Sequence, residues 1–106
     1  MDTTPRIAIP HEAISEFCRR WQVTEFALFG SVLRDDFGPE SDIDVLVAFS
    51  PQAAHSLFDL VRMEDELRAV FGRRVDLVTR RAVERTTNAW RRSSILGSLR
   101  HVAQAS

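Results

Sequence analysis

Apolar residues switch between helical and strand periods along this chain, and each switch marks an element. After Pro10, the residues Ala13, Ile14, Phe17, Cys18 and Trp21 recur at helical spacing, which predicts an amphipathic helix over His11 to Trp21. Val23 to Phe29 is rich in β-branched and aromatic residues and stops abruptly at Gly30, the pattern of a short buried strand. Ser31 to Asp36 has room for about one and a half helical turns, with Ser31 as N-cap, before Gly38-Pro39 breaks the chain. Asp42 to Phe49 reads as a second strand, closed by Ser50-Pro51. Leu60, Met63, Leu67 and Val70 then recur within Ser56 to Phe71, and the acids Asp59, Glu64, Asp65 and Glu66 fill other positions, as in a surface helix ending at Gly72. Arg74 to Thr79 is a third strand interrupted by Asp76. From Arg80 onward the pattern predicts helix, with Trp90, Ile95, Leu96, Leu99 and Val102 available for packing.

The resulting order is helix, strand, short helix, strand, long helix, strand, helix. It predicts an α/β or α+β domain, a small mixed sheet flanked by helices. A chain of 106 residues has the length for one core, so residues 1 to 106 are expected to form a single domain. Neither a basic segment joined to an apolar run near the start nor a bilayer-length apolar stretch is visible, and the expected location is cytoplasmic with no membrane contact. Cys18 has no partner within the chain and falls in a helical apolar pattern, which fits a buried reduced thiol.

The net charge of -1 conceals an uneven distribution: residues 1 to 72 sum to -7 and residues 73 to 106 to +6. Every basic residue is Arg. The basic segment is either a solvated helical face or a surface for phosphates or an acidic partner.

The most informative chemistry lies on the second strand. Alternate side chains share a face, so Asp42 and Asp44 lie together while Ile43, Val45 and Val47 take the other side. Two neighbouring carboxylates repel unless a cation lies between them or one is protonated. Hard oxygen donors without a Cys or His cluster favour Mg²⁺ or Mn²⁺, and His11, His55 and His101 are scattered. The alternative is a strand start carrying two solvent-facing acids. Asp76 shifts the balance, because a neighbouring strand could bring it beside the other two. Three acids on one face could hold two metals, one activating an attacking oxygen and one neutralising a leaving pyrophosphate. Gly30-Ser31 at a strand end permits close approach of an anion to backbone amides, although an ordinary glycine turn reads the same way. Arg34, one helical turn beyond Ser31, either reaches a phosphate or pairs with Asp35, Asp36 or Glu40.

Together, Phe29-Gly30-Ser31-Val32-Leu33-Arg34, Ser41-Asp42-Ile43-Asp44-Val45-Leu46-Val47 and Val75-Asp76-Leu77-Val78 resemble the signature of the DNA polymerase beta nucleotidyltransferase superfamily. The likeness is closest to its minimal nucleotidyltransferase (MNT) branch, antitoxins paired with HEPN-domain toxins, and spans roughly residues 10 to 100. The resemblance implies a nucleotidyltransferase fold in which Gly30, Ser31 and Arg34 bind the nucleotide. Asp42, Asp44 and Asp76 would be the catalytic, metal-binding triad for two Mg²⁺ ions, with Mn²⁺ able to substitute. Asp42 and Asp44 would bridge the ions, while Asp76 would contact the one on the acceptor side.

The implied activity is transfer of AMP from ATP to a tyrosine hydroxyl of a cognate HEPN ribonuclease, silencing it in a hetero-oligomer, with no direct nucleic-acid contact expected. The sequence contains no Tyr, so such an acceptor must come from another chain. Asp35 stands where many relatives carry glycine after the arginine. Two further readings share the motifs: an antitoxin that neutralises its toxin by contact alone, through the Arg-rich C-terminal segment or the acidic helix 57 to 71, and a transferase acting on small molecules or RNA.

Overall fold

The computed structural model describes residues 7–34 and 37–104. Helix α1 (His11–Trp21) begins where Ile14 N–H donates to the Pro10 carbonyl at 3.0 Å, and turns Ile14 and Phe17 into the core. It ends at Gln22, whose left-handed backbone (φ 58°) lets its N–H reach the Cys18 carbonyl. Strand β1 (Val23–Phe29) follows at once and is buried over five consecutive residues, Glu25 to Phe29. Such a run, without polar alternation, marks a central strand covered on both faces.

A short 3₁₀ turn (Gly30–Leu33) leads through residues 37–42 to strand β2 (Ile43–Phe49), antiparallel to β1 with Phe29 opposite Asp44. Helix α2 (Leu57–Phe71) opens on a reciprocal cap: Asp59 N–H donates to Ser56 Oγ, and Ser56 N–H donates to the Asp59 carboxylate. Its end is Gly72 at φ 71°. Strand β3 (Val75–Thr79) runs parallel to β2, with Asp44 opposite Asp76. Helices α3 (Arg80–Arg85) and α4 (Ala89–Leu96) are capped by the Thr79 hydroxyl and the Asn88 side chain. Strand β4 (Arg100–Gln104) completes a mixed four-stranded sheet in the order β3-β2-β1-β4.

Alternation divides the sheet between two unequal layers. Phe26, Leu28, Ile43, Val45, Val47 and Val75 face α1 and α2 and pack with Ile14, Phe17, Met63 and Leu67. The opposite face is only partly covered, by α3 and α4, in a smaller cluster of Phe29, Leu46, Val83 and Ile95 with Val78, Leu96 and Leu99 at its margin. Polar side chains on this second face sit at its two ends, and the middle is apolar.

Three sequence expectations need correction. The segment after Arg80 is not one helix: two short helices are followed by β4, which pairs with the edge that β1 would otherwise expose. Trp90 does not pack, being 80% exposed, because on the eight-residue α4 it lies about 140° around the axis from buried Ile95. Ser31 is not an N-cap. The turn starts after Phe29, makes no side-chain cap bond, and is 3₁₀ rather than α-helical. Asp35 and Asp36 lie outside the described residues.

Candidate active site

The end of the second face where β1 finishes and β2 and β3 begin gathers most of the sequence-predicted residues. Parallel register places Asp44 directly against Asp76, and the same ladder sets Ile43 against Val75 one step earlier. Like charges opposite one another destabilise a sheet. The Asp44 carboxyl is half-buried, and its pKa is raised above the ordinary value first by desolvation, then by the charges of Asp76 and Asp42. Arg34 and Arg91 oppose that shift, so both guanidinium charges reach Asp44. Arg91, at the start of α4, entered the sequence reading only as part of the basic segment, because only the fold brings its charge to Asp44.

Gly30 closes the site from the side of β1. Its φ is 76°, in the left-handed region, and a Cβ added there would overlap the Asp44 carboxylate. Glycine is therefore favoured twice at this position, by backbone conformation and by the packing of the turn on the Asp44 carboxylate. Ser31 follows within the turn, its hydroxyl directed at the Asp42 carbonyl across a long 3.5 Å contact. Arg34 is exposed at the end of the turn, and its N–H donates to the Ser31 carbonyl at 2.9 Å.

Asp42 immediately precedes β2, and its carboxylate is held by Arg74 (Nε to Oδ1, 3.1 Å). These two residues border a polar cavity of about 410 Å³ with Glu40, Ser41 and Arg73. Among the described residues, no three carboxylate, imidazole or thiol groups already converge on one ion position. The donor set nevertheless fits a hard divalent cation. Asp44 and Asp76 are adjacent carboxylates that carry a repulsion only a cation or a proton relieves, and Asp42 is near enough to add to it.

The remaining titratable candidates lie elsewhere. Cys18 is half-buried, and burial pushes its thiol up to about 11, in keeping with an inert packed group. His55 is ringed by Trp21 and Phe49 and bonds the Trp21 carbonyl at 2.7 Å. It lines a larger cavity, about 510 Å³, that also includes Phe49, Leu60, Arg80 and Arg81 and lies toward the other end of the sheet, away from the aspartates. At that end, too, Glu25 is 7% exposed and gripped by Arg80 (Nε–Oε1 and Nη2–Oε2, both 2.6 Å) and by His101.

A family model described as a nucleotidyltransferase domain matches residues 11–100. The protein adenylyltransferase MntA of Thermococcus cleftensis is 36% identical over 69 residues, covering 65% of this chain and 68% of that protein. Among solved structures, a putative minimal nucleotidyltransferase superposes with a TM-score of 0.65 at 31% identity, covering 85% of this chain and 86% of its own. A complex of a tri-AMPylated Shewanella oneidensis HEPN toxin with its MNT antitoxin matches with a TM-score of 0.60 at 16% identity, covering 90% of this chain and 70% of that one, a likeness of fold. The chain thus belongs to the nucleotidyltransferase domain family and, within it, to the minimal branch that includes the protein adenylyltransferase MntA.

Proposed function

We propose that this chain is an antitoxin enzyme that transfers AMP from ATP to a tyrosine hydroxyl of a cognate HEPN-type ribonuclease toxin, in the cytoplasm, and thereby silences it. The observation that carries the reading is half-buried Asp44 set against exposed Asp76 beneath the Gly30 turn: two opposed like charges where the family motifs meet. Its support comes from relatives named as protein adenylyltransferases and from the fold shared with an antitoxin complexed with an AMPylated toxin.

Asp42, Asp44 and Asp76 would hold two divalent ions, Mg²⁺ or Mn²⁺, whose charge neutralises the triphosphate and favours ionisation of the attacking hydroxyl. The chain's own contribution is placement. Gly30 allows the turn to lie against Asp44, so that a triphosphate resting on the backbone of Gly30 and Ser31 is brought to the carboxylates. Arg34 and Arg91, whose charges reach Asp44, add positive potential where phosphate charge accumulates. The exposed side of Asp76 leaves room for an acceptor hydroxyl, which the chain, lacking Tyr, must receive from a partner. The single minimal domain of residues 1–106 therefore forms one part of a working site, completed by the toxin.

A contact role is compatible with the same complex. Leu57, Phe58 and Val61 are exposed on the first turns of α2, an apolar group on an otherwise acidic helix. The test is transfer of label from α-labelled ATP in Mg²⁺, with and without the product of the adjacent gene. The proposal requires label on the partner, absent when the ion is chelated. A stable unlabelled complex would replace enzymatic silencing with neutralisation by contact.

A further inference from the structure

The ladder that sets Asp44 against Asp76 also fixes what lies one pair before it. Ile43 N–H donates to the Arg74 carbonyl at 2.9 Å, which carries the β2–β3 register back past Ile43 and Val75. Asp42 and Arg74 are thereby brought across from one another, and their side chains meet at 3.1 Å. Asp44 and Asp76, two residues further along each strand, occupy the same face. Successive pairs on this face are thus opposite in charge, then alike in charge, then apolar at Leu46 and Val78.

The neighbouring arginine is committed elsewhere. Arg73 Nη2 donates to the Gly38 carbonyl at 2.7 Å, and its guanidinium lies 4.4 Å over the Phe37 ring. Arg73 therefore fastens the loop that leads into Asp42, while Arg74 takes the Asp42 carboxylate. One guanidinium so engages one of three neighbouring carboxylates, a group that a divalent ion would also use.

Resting on the metal-dependent reading above, we infer that Arg74 is a built-in counter-ion latch: its guanidinium stands in for the divalent ion on Asp42 and must be displaced before the triad can close on metal. An ion that requires Asp42 then binds with an affinity lowered by the fraction of molecules whose latch is shut. Displacement does more than free a ligand. It leaves an arginine beside the polar cavity, available to an anionic group of the incoming substrate only after the ion is in place.

The pair is largely exposed, with side chains 74% and 47% accessible, so the latch is weak and its effect on affinity is a few-fold. The experiment is titration of the intact chain with Mn²⁺ alone, following free ion by electron paramagnetic resonance, for wild type, Arg74→Gln, Arg74→Lys and Asp44→Asn. Arg74→Gln is expected to tighten binding by about two- to fivefold, while Arg74→Lys, which keeps the charge, stays near wild type. In an Asp42→Asn background the gain from Arg74→Gln should shrink toward nothing, because the latch then has no carboxylate to hold. Unchanged or weaker binding in Arg74→Gln, with binding still dependent on Asp44, overturns the latch and leaves the metal site standing. Absence of Asp44-dependent binding in wild type overturns both.

Discussion

The second face of the sheet carries buried or half-buried carboxylates at both ends, and the two ends treat them in opposite ways. Glu25 is met by the Arg80 fork and by His101, and these hydrogen bonds, Arg80 first, hold its pKa down to about 2 despite desolvation. Asp44 is half-buried beside Asp76 and Asp42, and its pKa is raised, first by desolvation and then by those two charges, against the opposing charges of Arg34 and Arg91. The same sheet thus carries one carboxylate whose partners are opposite in charge and tie β1 to α3 and β4, and one set against like charges. Perturbation by paired, complementary groups marks architecture here. Perturbation by desolvation together with like charges marks a place suited to a cation.

The comparison breaks most visibly if Asp76 proves dispensable. Asp76→Asn is expected to lower transfer by at least about a thousandfold, roughly 4 kcal/mol in the barrier. Its melting temperature should hold or rise, since one of two opposed charges is gone. Steady-state transfer with a thermal melt on the same preparation checks both halves. Gly30→Ala should come next. The left-handed backbone costs about 1 to 2 kcal/mol for a residue with a Cβ, and the overlap with Asp44 should displace that carboxylate and reduce transfer by about a hundredfold. An alanine variant with wild-type turnover would contradict the close packing of turn and carboxylate.

At the other end, Glu25→Gln leaves Arg80 and His101 without their anion and should cost roughly 2 to 3 kcal/mol in urea unfolding. The pH dependence separates the two ends by sign. Glu25 has a depressed folded pKa, so its contribution is present above the ordinary value of 4.5 and is lost as pH falls toward about 2. Asp44 is shifted the other way and penalises the folded state as pH rises through its raised pKa. Between pH 5 and pH 2, wild type should therefore lose stability that Glu25→Gln never had. Above that range, Asp44→Asn should retain stability that wild type forgoes. Parallel curves for all three proteins would erase the distinction.

What the sequence made legible was whatever depends on near neighbours along the chain. The alternation Asp42-Ile43-Asp44-Val45 dictates which side chains share a face, Gly30 after an apolar strand dictates a turn, and the spacing of Leu60, Met63 and Leu67 before Gly72 dictates a helix. Pairing across strands was legible only as the possibility that a neighbouring strand sets Asp76 beside Asp42 and Asp44. Strand β4 carries Arg100, His101 and Ala103 around Val102 and has little strand character of its own; it is ordered by the open edge of β1. Glu25 drew no reading of its own within the strand Val23 to Phe29, because its partners lie 55 and 76 residues away. Arg74 and Arg91 were counted in a basic segment, and only the register of β2 with β3 and the position of α4 direct them at the aspartates. Trp90 was misplaced because hydrophobicity does not report which side of a short helix finds the sheet.

The most direct measurement is Mg²⁺-dependent transfer from α-labelled ATP to the toxin by Asp44→Asn and Glu25→Gln, compared side by side at a temperature where both remain folded. The account predicts that Asp44→Asn loses transfer and that Glu25→Gln keeps it close to the wild-type rate per folded molecule. Equal loss in the two variants, or transfer that survives Asp44→Asn, would contradict it.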